Sequence, residues 1–90
     1  QAQPSPVIEL NRAVAVAMAR GPEHGLELLD DPALAEELGD YLWFWSSRAD
    51  LLRRAGRSEE ATADYRRALE LATNPVERRF LERRLAEVEA

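Results

Sequence analysis

Among its 90 residues the chain has no cysteine, no lysine, one histidine and one methionine. Without cysteine there is no disulfide framework and no thiolate metal site, which agrees with a reducing cytoplasm as the expected compartment. One histidine and no glycine-rich phosphate loop leave little from which to assemble a nucleophile, a base or a metal centre. His24 stands beside Glu23 and Glu27 at helical spacing, a pattern of surface charge rather than of metal ligation. Paired carboxylates such as Glu36-Glu37 and Glu59-Glu60 have no apolar pocket around them to lift a pKa into a catalytic range. The expectation is a non-enzyme with no cofactor and no metal. Long apolar runs are also missing. The longest, Ala13 to Ala19, is far short of the ~20 residues of a membrane helix, and no charged-then-apolar leader opens the chain. No membrane association is expected.

All 12 basic residues are arginine, and alanine occurs fifteen times, a bias that reads as GC-rich coding sequence before any demand for bidentate arginine contacts. The net charge of −5 argues against direct nucleic-acid binding, since neutralising phosphates supplies most of such affinity. A hydrophobic content of 46% and a charged content of 32% fit an ordinary folded domain. At this length one core is the limit, burying roughly 60–65% of the unfolded surface. Charge is unevenly placed. Residues 1–47 carry two arginines against eight carboxylates, −6, while residues 48–90 carry ten against nine, +1. The acidic stretch from Glu23 to Asp40 is a solvated loop or a surface for a basic partner.

Local signals divide the chain into helices. Residues 1–4 form a leader, after which Ser5 caps a helix whose first position is Pro6, where the missing amide donor costs nothing. That helix runs to about Arg20. Gly21-Pro22 breaks it and starts a second helix to Asp30, closing a hairpin over residues 5–30. Asp31-Pro32 is another start, stopped by Gly39, so 31–39 is an irregular connection with one helical turn or a tight loop. A second hairpin follows over residues 40–72, with helices from about Asp40 to Ala55 and from Ser58 to Ala72. Asn74-Pro75-Val76-Glu77 supplies a cap, a first-turn proline and a third-position acid for a capping helix over 75–90. About five helices and no strand result.

The two hairpins repeat one another. Trp45, Ala49, Leu52, Gly56, Ala61, Tyr65 and Ala68 fall at the spacing of a ~34-residue tetratricopeptide (TPR) unit, so the pattern resembles TPR-like antiparallel hairpins of the all-α class. Matching Gly21 to Gly56 gives an offset of 35. Matching Asn11-Arg12-Ala13 to Ser47-Arg48-Ala49 gives 36 and pairs Gly25 with Ala61 and Leu29 with Tyr65. Such hairpins hold other proteins and seldom carry chemistry. A concave groove is expected from Leu10, Val14, Ser46, Asp50 and Phe80, with Trp43 as an exposed aromatic anchor. Basic and asparagine residues that would clamp a terminal carboxylate are not at these positions.

Two patterns exceed a simple core. The first helix is apolar nearly all round, with Val7, Ile8, Leu10, Val14, Val16 and Met18 among alanines, and is expected to be covered on more than one side, by self-association or by an upstream segment. Tyr41-Leu42-Trp43-Phe44-Trp45 covers every face of a helix at ~100° per residue. Trp45, Leu42 and Ala49 are expected in the core. Trp43 or Phe44 would pack on a neighbouring helix.

The segments Pro4-Ser5-Pro6-Val7-Ile8-Glu9-Leu10-Asn11-Arg12-Ala13-Val14-Ala15-Val16-Ala17 and Arg48-Ala49-Asp50-Leu51-Leu52-Arg53-Arg54 resemble the C-terminal TPR-like extension of extracytoplasmic-function (ECF) RNA polymerase sigma factors. Tyr65 to Ala72 and Glu77 to Leu85 extend the resemblance over essentially the whole chain. It implies a C-terminal fragment of a longer bacterial protein that acts in transcription initiation. The promoter-reading regions are absent from it. The implied partners are the upstream domains of the same sigma factor or core RNA polymerase. A free-standing adaptor that binds a peptide in its concave groove is the alternative.

Overall fold

A computed structural model describes residues 5–90, and all regular structure among them is helical: α1 (Pro6–Arg20), α2 (Pro22–Leu29), α3 (Pro32–Glu37), α4 (Leu42–Arg54), α5 (Ser58–Leu71) and α6 (Pro75–Glu89). The leader expected at residues 1–4 lies outside the described residues. Three starts use the predicted chemistry. Ser5 Oγ accepts the Ile8 amide at 3.2 Å, Asp31 Oδ1 the Ala33 amide at 3.0 Å, and Asn74 Oδ1 the Glu77 amide at 2.8 Å, each cap followed by proline. At the end of α4, Gly56 takes φ 79°, and the Arg57 and Gly56 amides reach back to the Leu52 and Arg53 carbonyls at 2.8 and 3.1 Å. This is a Schellman closure, and its left-handed residue favours glycine.

The irregular connection is more ordered than expected. Residues 32–37 form a sixth helix, because Leu34 and Leu38, four apart, both enter the core and hold the turn against it. Spacing from Gly39 alone did not show that these leucines have a partner surface.

Packing follows chain order. α1 lies on α2, α2 on α4, α4 on α5 and α5 on α6, with α1 also touching α4. The molecule is a slab of 44 × 28 × 19 Å. α1, α4 and α6 run side by side in one direction. Arg54, at the end of α4, reaches the Met18 sulfur at the end of α1 at 3.7 Å, Arg84 of α6 lies 4.0 Å from Asp50 of α4, and Trp43 shares a cavity with the first turns of α6. The core is continuous through the stack, with Ala13, Phe44, Ala49, Leu52, Ala61, Tyr65, Ala68 and Leu81 fully enclosed. Ala13 and Ala49, Gly25 and Ala61, and Leu29 and Tyr65, all 36 apart, are buried alike, whereas the two positive-φ glycines, Gly21 and Gly56, are 35 apart.

The aromatic run resolves differently from expectation. Phe44, not Trp45, is the fully enclosed ring, while Trp45 is half-buried, donates its indole N–H to the Gly39 carbonyl at 2.9 Å and carries the Arg67 guanidinium of α5 over its face at 5.9 Å. α4 is the middle of the stack and is covered on two sides. Leu51, seven residues from Phe44 on the same stripe, meets α2 near Gly25, while Leu42, Ala49 and Leu52 lie toward α5. Within the stack α4, not α1, is the helix covered on two sides. On α1 only Leu10, Ala13 and Ala17 are buried, and Ile8 and Met18 remain 59% and 70% exposed.

One buried charge couples three helices. Arg48 of α4 lies 3.5 Å from Asp64 of α5 and 3.7 Å from Asp30 at the end of α2. Burial pushes the Asp64 carboxyl up to about 6, against the pull of Arg48. Between the ordinary value of 3.8 and about 6 the folded state therefore holds a proton that the unfolded chain releases, and stability falls as pH rises through that window. Glu60, held low by Arg57, works in the opposite sense, its contribution being lost only as pH drops below the usual carboxylate range. The expected result is a melting temperature about 4–8 °C higher at pH 5 than at pH 7.5, the equivalent of ~1 kcal/mol after discount for solvent screening. Asp64→Asn should flatten that slope in thermal melts followed by circular dichroism.

Candidate functional site

The face formed by α1, α4 and α6 gathers most of the exposed large apolar side chains. Along α1 the stripe is Val7, Asn11, Val14 and Met18, and along α4 it is Trp43, Ser47, Asp50 and Arg54. Val76, Phe80, Arg83 and Glu87 continue it along α6, each set following the i, i+4, i+7, i+11 register of one helix face. Val7 is 38% exposed, Met18 70%, Trp43 43% and Val76 70%. At one end Trp43, Pro75, Val76 and Phe80 line an open cavity of about 620 Å³, with Asn74 and Glu77 at its edge. Arg84 stacks over the Phe80 ring at 5.3 Å and fixes that side of the groove.

Of the residues expected to line the groove, Leu10 and Ser46 do not. Both are buried, 2% and 3% exposed, because they sit one helix step inward of the surface stripe and pack between helices. Val14 is half-buried on the groove side, and Asp50 is present there but already engaged. The Tyr65 hydroxyl donates to Asp50 Oδ1, Arg53 Nε donates to the Tyr65 oxygen at 3.3 Å, and Arg53 and Arg84 lie 3.8 and 4.0 Å from the Asp50 carboxylate. Burial, with that donation to Asp50, pushes the Tyr65 phenol up to about 12. The network ties α4, α5 and α6 together. Trp43 and Phe80 are brought together as the groove reading required. Val7, Met18 and Val76 were missed, although their register with Val14 and Phe80 was readable; what was not readable was which edge of each stripe the neighbouring helix covers.

A second recess, of about 530 Å³, lies between α1, α2 and α3 and carries Glu9, Glu27, Asp31 and Glu37 on its walls. It contains part of the acidic stretch. His24 is exposed, 3.8 Å from Glu27, and among the described residues no group of three or more His, Asp or Glu side chains is placed to hold a metal. No described helix is long and apolar enough to cross a membrane.

Fold and surface thus define an all-helical stack with one apolar, open face. An uncharacterized protein of Rhizobium meliloti (strain 1021) is 42% identical to the chain over 83 residues, which are 92% of this chain and 19% of that protein. The chain spans about a fifth of the length of the curated relative it matches. No family model and no solved structure matches it.

Proposed function

We propose that the chain is a TPR-like docking domain, the C-terminal regulatory extension of an ECF sigma factor, which acts in transcription initiation by seating a protein segment on the face of α1, α4 and α6. The observation that carries the docking reading is the concentration of Met18, Trp43 and Val76, all well exposed, on one side of three helices that run in the same direction. Exposed apolar area gathered in this way marks an interaction surface, whereas scattered single residues do not. Packing of α1 on α2, α4 on α5 and α5 on α6 supports the TPR-like reading, as does the 36-residue correspondence of Gly25 with Ala61 and Leu29 with Tyr65. The sigma-factor assignment rests on the resemblance of the α1 and α4 segments. A relative about five times as long as the matched stretch agrees with a domain inside a larger protein. Upstream sigma domains or core polymerase are the proposed occupants, and the domain performs no catalysis.

In-cell transcription from the full-length protein with and without residues 5–90 tests the assignment, and an unchanged promoter output would end it. Hydrogen exchange on the same full-length chain tests the docking. Residues 7–18 and 41–45 are expected to gain protection over the isolated 90-residue chain, most strongly at the exposed side of α1. Equal protection in both would remove intramolecular docking and leave the adaptor reading.

A further inference from the structure

The charge left over on the face of α1, α4 and α6 indicates the chemistry of its occupant. Asp50 is the central carboxylate of the groove, and it is shared among the Tyr65 hydroxyl, Arg53 and Arg84; Glu87 is held by Arg84 at 3.2 Å. Two cations on the same stripes are not neutralised. Arg54 has the Met18 sulfur as its polar neighbour at 3.7 Å, and Arg83 makes no ion pair or side-chain hydrogen bond among the described residues. Glu77 stands at the edge of the Trp43 cavity in the first turn of α6, where the positive end of the helix offsets its charge. Apolar contacts at Met18, Trp43, Val76 and Phe80 are therefore bordered by net positive charge, even though the whole chain is acidic.

We propose that the open face of α1, α4 and α6 seats an acidic segment that carries bulky apolar side chains, an inference that rests on the docking reading above and names its partner chemistry. Apolar side chains fill the cavity between Trp43 and Phe80 and the patch at Met18, while carboxylates pair with Arg54 and Arg83. From Trp43 to Arg54 the α4 stripe spans eleven residues, ~16 Å, a length that roughly five extended residues or three helical turns cover. A basic segment meets two unpaired guanidinium groups, and like-charge juxtaposition at an interface suppresses the wrong partner.

The test uses the 90-residue chain with two fluorescently labelled peptides: an amphipathic one built from Glu, Leu and Phe, and the same peptide with Lys in place of every Glu. Anisotropy titration is expected to show the acidic peptide binding at least ~10-fold more tightly, with affinity falling as salt rises from ~50 to ~500 mM. Arg54→Glu with Arg83→Glu should reverse the preference, and Trp43→Ala should weaken binding at least ~5-fold. Both side chains altered for charge are exposed, so folding is checked by circular dichroism and is expected to be unchanged. If both peptides bind alike and the arginine changes do nothing, while Trp43→Ala still weakens both, the acidic inference is overturned and the groove stands. If neither peptide binds, or Trp43→Ala has no effect, the groove reading falls with it. If mass measurement shows a dimer that Met18→Glu dissociates and that the acidic peptide does not compete with, a second copy occupies the face, and the acidic partner is overturned.

Discussion

Phe44→Ala is expected to lower the free energy of unfolding by about 3–5 kcal/mol. The ring is fully enclosed, meets Trp45 edge-on with centroids 5.0 Å apart at 81°, and sits on the α4 stripe that continues to Leu51 against α2. Truncation removes that burial and the aromatic contact together. It also leaves a cavity in the middle of the stack, where α4 is held from two sides and neither neighbour is free to collapse. A domain of this size has a total stability of roughly 5–13 kcal/mol, so urea titration should show the variant near the edge of folding at 25 °C. Trp43→Ala, one residue away but on the open face, should change stability by less than ~1 kcal/mol. Equal losses at both positions would mean that the order of the aromatic run along α4 has been misassigned.

Gly25→Ala is expected to destabilise by about 1–3 kcal/mol, although alanine in mid-helix ordinarily gains ~1 kcal/mol over glycine. A Cβ at position 25 would lie 2.6 Å from the Ala13 carbonyl oxygen, 2.6 Å from the Ala17 Cβ and 3.1 Å from Leu51 Cδ1. Ala13 and Ala17 belong to the backbone crossing of α1 and α2, so relief requires the two helices to separate instead of a side chain rotating away. Separation would also displace Leu51 and so loosen the α2–α4 contact. Thermal melts of Gly25→Ala beside Ala61→Gly, the matching position in the second hairpin, test this directly. Both should lower the melting temperature, the first by overpacking and the second by loss of a buried methyl and of helix propensity. A stabilised Gly25→Ala would show that the first hairpin is packed less closely than the geometry states.

The two hairpins reach the same end with different side chains. In the first, Gly25 allows α1 and α2 to touch at the backbone, and Leu29 is buried 36 residues before the buried Tyr65 of the second. The second has Ala61 at the crossing and a tyrosine whose hydroxyl reaches Asp50 and Arg53. Polar closure of that kind links α5 to the groove wall. Tyr65→Phe is accordingly expected to cost about 1–3 kcal/mol, since it leaves a carboxylate between two arginines without its closest donor. Loss of the Asp50 orientation would also free Arg84 from its place over Phe80.

Helix starts and stops were legible in the residues because they depend on local chemistry. Ser5, Asp31 and Asn74 each accept an amide two or three residues on, the proline after each cannot donate one, and Gly56 takes the left-handed turn. Close helix crossings were legible for a related reason: small residues stand where two helices approach closely, and Gly25, Ala49, Ala61 and Ala68 are all buried. Apolar Leu34 and Leu38 did not by themselves show a helix, since a four-residue spacing gains its stabilisation from the surface it meets. Exposure along the candidate face was half legible. Trp43 and Phe80 line the open cavity, whereas Leu10 and Ser46, expected beside them, are buried.

What the sequence by itself determined is the all-helical class and the boundaries set by caps and prolines, both of which follow from hydrogen bonds and spacings within a few residues. Tertiary structure alone decided which sides of α1 and α4 are covered, that Phe44 rather than Trp45 fills the core, and that Met18, Trp43 and Val76 share an open face. Five consecutive bulky residues point in every direction around a helix. Only the position of that helix between α2 and α5 determines which of them are removed from water and which remain for a partner.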